Sequence, residues 1–148
     1  MKLRYGYWLL LLPLFGCGQS DEAPVFVDLG TVSDCDVSRQ SCTVTENALS
    51  LSLALGPDVV PLKPFAVRFQ SDGASAIDKD SVVVDFQMQG MDMGVNRYRL
   101  KQDDDSYWRA TATLPVCTVS RMEWMAVVEF AQGGEHYRLR FPFAVEAN

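Results

Sequence analysis

One histidine in 148 residues is the scarcest chemical group in this chain, and its scarcity removes whole classes of chemistry. A many-histidine Cu(II) site is excluded. So is a Ser-His-Asp hydrolase, since no Gly-x-Ser-x-Gly elbow exists and no serine is marked by its context. There is no Gly-rich phosphate cradle, no Cys-x-x-Cys pair and no internal repeat, which sets aside nucleotide, zinc and thioredoxin-type mechanisms. Basic residues are also short: 13 Lys and Arg stand against 19 Asp and Glu, a formal charge of −6. Nucleic acid and anionic lipid surfaces need concentrated Lys and Arg, so neither is expected as a partner. With no motif for catalysis, the chain reads as a non-enzyme.

Nor is there an apolar run long enough to stay in a bilayer. Lys2 and Arg4 form a positive end, and Tyr5 to Phe15 is an apolar stretch, well short of the roughly 20 residues that a permanent span needs. Residues 1–16 therefore read as a signal segment. The stretch closes on Leu14-Phe15-Gly16-Cys17, which resembles the bacterial lipobox. That resemblance implies that Cys17 takes diacylglycerol and further palmitate-type chains and becomes the new N-terminus. Several chains together make a stable anchor, whereas one is marginal. Gly18, not Asp, follows Cys17, and resemblance to sorted Gram-negative lipoproteins implies the periplasmic face of the outer membrane. The polar stretch from Gly18 to Pro24 suits a tether. Loss of residues 1–16 removes Lys2 and Arg4 and no acid, so the charge becomes −8. The remainder suffices for one domain with a single core.

Within it the dominant signal is strand alternation. Leu49, Leu51, Leu53 and Leu55 alternate with Ser50, Ser52 and Ala54, and Phe65, Val67 and Phe69 with Ala66, Arg68 and Gln70. Val82, Val84, Phe86 and Met88 share a face, as do Tyr98 and Leu100. Trp108, Ala110, Ala112 and Leu114 form a further face; Met122, Trp124, Ala126, Val128 and Phe130 face away from Glu123 and Glu129; Tyr137, Leu139, Phe141 and Phe143 oppose His136, Arg138 and Arg140. Turn signals at Gly56-Pro57-Asp58, Ser71-Asp72-Gly73, Gly90 to Gly94, Asp103 to Asp105, Pro115 and Gly133-Gly134 separate them. About seven short strands so spaced predict an all-β, immunoglobulin-like antiparallel β-sandwich over residues 41–148. Residues 17–40 read as tether and irregular lead-in, with room for an edge strand around Val25 to Leu29.

With Cys17 assigned to lipid, Cys35, Cys42 and Cys117 remain in an oxidising compartment, where thiols pair. Sequence proximity favours Cys35–Cys42, which leaves Cys117 odd: buried, a metal ligand or a mixed-disulfide partner. Cys117 paired with either of the other two stays open, because sequence does not choose connectivity.

All five methionines beyond Met1 fall in two segments, Met88-Gln89-Gly90-Met91-Asp92-Met93-Gly94 and Met122 to Met125. Thioethers and thiolates are soft ligands that select Cu(I), and a Gly-flanked loop lets sulfurs converge on one ion. Met is also a core filler, which suits the inward positions of Met88 and Met122. Met91 and Met93, in a turn, are the sharper ligand candidates, with Met88 or Cys117 completing the set; Met125 shares the face of Glu123 and Glu129. From about Leu49 to Val145 the chain resembles the YtkA-like/FixH-like envelope domains, on Phe86 to Gly94, Tyr107-Trp108-Arg109-Ala110, Leu114-Pro115, Met122-Glu123-Trp124 and Phe141-Pro142-Phe143. That resemblance implies an immunoglobulin-like fold and a role in copper handling or oxidase assembly. Cys117 stands where the family carries a Gly/Met-rich turn.

His136, on the outward side of the last strand, reads as a solvated residue, with a nitrogen ligand or pH-sensitive contact as the alternative. The acidic groups at Asp103 to Asp105 and at Asp34 and Asp36 lack the Gly and terminal Glu of an EF-hand loop and read as solvated turns. Two functions of different kind are therefore expected: a lipid-anchored carrier that binds or delivers Cu(I), or a metal-free structural module contacting another envelope protein through a sheet edge or loop.

Overall fold

A computed structural model describes residues 23–46, 48–73, 76–104, 106–116 and 121–146. The expected signal segment, the lipidation site Cys17 and the candidate ligand Cys117 lie outside them. Two five-stranded sheets make up the described chain, with strand orders β1-β10-β9-β5-β6 and β2-β3-β4-β8-β7. The ten strands are β1 (Phe26–Thr31), β2 (Cys42–Glu46), β3 (Leu49–Leu55), β4 (Phe65–Gly73), β5 (Val83–Met88), β6 (Arg97–Arg99), β7 (Lys101–Asp104), β8 (Tyr107–Ala112), β9 (Arg121–Gln132) and β10 (Glu135–Glu146). The fold is an all-β sandwich.

Alternation explains which face each strand buries. Leu51, Leu53, Val67, Phe69, Trp108, Trp124, Val128, Leu139 and Phe141 are all at most 1% exposed, and successive strand side chains point to opposite faces. Phe65 meets Phe86 at 5.7 Å and Phe69 meets Phe130 at 6.0 Å, so rings from the two sheets interdigitate. The longest pairing is the β9–β10 hairpin, in register from Glu135↔Gln132 to Glu146↔Arg121. Its turn is Gly133-Gly134, both at positive φ, which is what a two-residue hairpin turn demands of its central residues.

Three strands exceed the seven that alternation predicts. β2 is short and mostly exposed, so little apolar period marks it. β6 and β7 are one run of chain that changes sheet at Leu100, which is 1% exposed and donates its N–H to the Val82 carbonyl. β1 joins the sandwich ahead of residue 41, and it pairs with β10 in parallel. None of its six residues is fully buried, which is why its sequence shows no sustained alternation.

The outward face of the β1-β10-β9-β5-β6 sheet carries an unexpected burial. Glu129 sits on that face yet is only 7% exposed. Its carboxylate accepts two hydrogen bonds from Arg138, at 2.7 and 2.9 Å, and pairs with Arg97 at 2.5 Å. Arg97 belongs to β6, so its side chain crosses over β5 to reach β9, where Val83 is the residue opposite Glu129. Val83 is thereby buried on the outer side. Arg138 also lies 4.1 Å over the Phe26 ring, while Arg140 grips both oxygens of Asp28 at 2.7 and 2.8 Å, fastening β1 to β10. Burial pushes the Glu129 carboxyl up, but the hydrogen bonds from Arg138 and Arg97 outweigh that push and hold its pKa below the ordinary 4.5. A carboxyl lowered by folding stabilises the fold above its unfolded pKa, and the benefit disappears as pH falls through the folded value. Glu129→Gln should cost about 2 kcal/mol at pH 7, the scale of hydrogen bonds to a charged group. Denaturant midpoints measured from pH 7 down to 3 should fall less steeply for the variant than for the wild type; parallel curves would show the clamp to be energetically idle.

Candidate functional site

The hairpin between β5 and β6 is built to project its methionines. Met88 ends β5 opposite Trp124 of β9, and the next residue, Gln89, extends the ladder by donating its N–H to the Glu123 carbonyl at 2.8 Å. Beyond that the chain leaves the sheet. Gly90 and Gly94 both adopt positive φ, 77° and 71°, and bracket Met91-Asp92-Met93. The Asp92 side chain accepts the Gly94 N–H at 2.9 Å, a local turn that suits an Asp. Asn96 then returns the chain to β5, its carbonyl accepting from the Phe86 N–H.

Met88, Met91 and Met93 all line one surface cavity of about 460 Å³, which Asp85 and Asp92 also border. Met88 and Met93 are half-buried against the core, whereas Met91 is exposed. The three hairpin methionines therefore border the same cavity. Met122 does not join them, being fully buried in the core. Met125 lies on the outer face opposite Pro142 and Gln87.

His136 is far away. It is the second residue of β10, opposite Ala131, seven residues along β9 from Trp124, so about 23 Å separates it from the hairpin end. It is exposed, and its ring meets the Phe26 ring edge-on at 5.8 Å. It cannot share an ion with Met91. Among the described residues, no group of three or more His, Cys, Asp or Glu side chains gathers into a metal cluster.

Cys35 and Cys42 are joined in a disulfide, so neither sulfur is free to ligate. The loop they close turns on Asp36, which accepts from the Ser38 N–H and hydroxyl and pairs with Arg39. It is anchored, too: Val37 is fully buried, and its carbonyl accepts from Leu55.

Patterning missed two features. Among the described residues, the buried side-chain nitrogens with no hydrogen-bond partner are Asn96 Nδ2 and Trp124 Nε1, both at the methionine end. Trp124 was legible as core but its orphaned N–H was not; a lone Asn after Val95 carries no pattern at all. Buried unsatisfied groups are few in native proteins and mark places where packing serves something besides stability. Exposed apolar side chains occur in loops at this end as well: Met91 and Val95 follow β5, Val116 follows β8, and Leu62 donates its N–H to the Leu114 carbonyl. No family model, curated protein or solved structure matches the chain.

The disulfide has a measurable consequence. Closing a loop with a sequence separation of 7 should contribute about 2–3 kcal/mol by the chain-entropy relation. A Cys35→Ser/Cys42→Ser variant should lose at least that in urea unfolding, because the buried Cys42 site also receives a hydroxyl. A loss below about 1 kcal/mol would mean that packing of Val37 alone holds the loop.

Proposed function

We propose that this chain is an envelope lipoprotein, anchored through an acylated Cys17, whose sandwich holds Cu(I) between the thioethers of Met88, Met91 and Met93 and passes it on. The single observation that carries the reading is that these three residues line one cavity. The resemblance of the hairpin to YtkA-like/FixH-like envelope domains supports the same reading.

The donor set suits the ion. Three neutral thioethers make a soft, low-charge site that favours Cu(I) over Zn²⁺ or Ca²⁺. Asp85 and Asp92 on the rim favour a cation by field without being soft ligands. Copper is cargo here, and its release is ligand exchange. Met88 and Met93 lean on the core, whereas Met91 is open to solvent. An incoming sulfur or nitrogen donor from an acceptor therefore replaces Met91 first, and the ion leaves without changing charge or oxidation state. Cys117 remains the further candidate ligand, four residues before β9 begins.

A second reading, a metal-free interaction or assembly module, has its own observation. Leu62, Val95 and Val116 expose apolar side chains at the same end, and grouped exposed apolar residues suit a protein partner. The two readings part on one measurement. Residues 18–148 titrated with Cu(I) under reducing conditions, against a chromogenic chelator, should bind one equivalent. Met91→Leu/Met93→Leu should weaken binding by about a hundredfold, some 2.7 kcal/mol, with the melting temperature nearly unchanged because leucine keeps the volume. Equal affinity in both proteins would eliminate the copper reading and leave the interaction module.

A further inference from the structure

Strand register assembles a second feature, which patterning did not show and copper binding does not use. On the outer face of the other sheet, Arg68 of β4 lies directly opposite Arg109 of β8, and Arg109 lies directly opposite Lys101 of β7. Three cations thus occupy one rung across three neighbouring strands. Directly opposed residues on one face have Cβ atoms about 5 Å apart, and like charges so placed are destabilising. A chain with a formal charge of −6 has acids to spare for neutralising such a rung. It supplies little. Arg109 pairs with Asp103 at 3.0 Å, while Arg68 and Lys101 carry no hydrogen bond or ion pair among the described residues.

The rung borders a notch of about 720 Å³. β7 covers β8 only from Tyr107 to Arg109, because the chain crosses to the other sheet at Leu100. Past Arg109 the edge of β8, at Ala110 and Thr111, is left open beside the crossing strand. Arg99, just before the crossing, adds a fourth cation; its guanidinium donates to the Asp80 carbonyl, which satisfies a donor without cancelling charge. Among the described residues, four cations and one carboxylate, that of Asp103, therefore line the notch.

We infer that this notch is a binding site for a phosphate-bearing anion, held between Arg68 and Lys101 with Arg109 behind it. Two strand spacings, about 10 Å, separate Arg68 from Lys101, a gap that their long side chains close around one phosphoryl group. Arginine offers a planar fork that matches phosphate, and lysine a mobile point charge. Unpaired cations also cost little to recruit, since no existing ion pair has to break. The same chemistry serves a free phosphorylated solute or a lipid headgroup.

The test uses the full chain in neutral phosphatidylcholine vesicles, equilibrium dialysis against labelled inorganic phosphate, and chloride to fix the ionic strength. Saturable binding of one phosphate is expected. Arg68→Gln/Lys101→Gln should weaken it by about tenfold or more, the scale of a charge-assisted contact. Arg39→Gln/Lys63→Gln, which removes the same charge elsewhere, should not. Without phosphate the notch variant should melt at or above the wild type, since two like charges have gone. Phosphatidate added to the vesicles will suppress phosphate binding if the headgroup is the ligand and leave it unchanged if a free solute is. Non-saturable binding, equal loss in both variants, or a notch variant that melts well below the wild type would overturn the assignment.

Discussion

A carboxylate on the outer face of a sheet, closed off from water, is the constraint around which half of this sandwich is arranged. Glu129 has the position of a solvated residue and the exposure of a core one. It stays charged because Arg97 and Arg138 reach it from different strands, and those reaches fasten β6 and β10 to β9. Arg138 then stacks on Phe26, so the same guanidinium also holds the parallel edge strand. Removing one partner from such a cluster leaves charge without compensation, which makes it cooperative rather than a set of separate surface pairs.

The clamp reaches the hairpin between β5 and β6, on which the copper proposal rests. Both strands that carry the hairpin are tied down, β5 by its pairing with β9 and β6 by Arg97. The loop itself, between two left-handed glycines, lies outside the strand ladder. Rigid strands presenting an adaptable loop is the usual division of labour for a binding site. The disulfide loop shows the opposite arrangement: its sulfurs are spent on each other, and Val37 plugs it into the core.

Much of the core was legible because its strands bury one face only. Leu51 to Leu55, Phe65 to Phe69 and Leu139 to Phe143 alternate in sequence and in burial alike. Legibility failed where a strand has no apolar face to display. β2, exposed along most of its length, and the three-residue β6 are set by neighbours distant in sequence. Glu129 failed for a different reason, since alternation assigns it a face correctly but says nothing of the arginines that cover that face.

Residue order by itself determined the all-β class, most of the inward faces and the grouping of Met88, Met91 and Met93 within one short segment, because each is a local property of spacing. Ser71 to Gly73 and Asp103, expected as turns, instead belong to β4 and β7, where pairing with β3 and β8 carries the strands on. Tertiary structure alone decided that the chain changes sheet at Leu100, that the buried nitrogens of Asn96 and Trp124 find no partner among the described residues, that His136 lies at the far end, and that Arg68, Arg109 and Lys101 share a rung. Those facts depend on pairing between strands remote in sequence, and register is a global solution to burying every inward face at once.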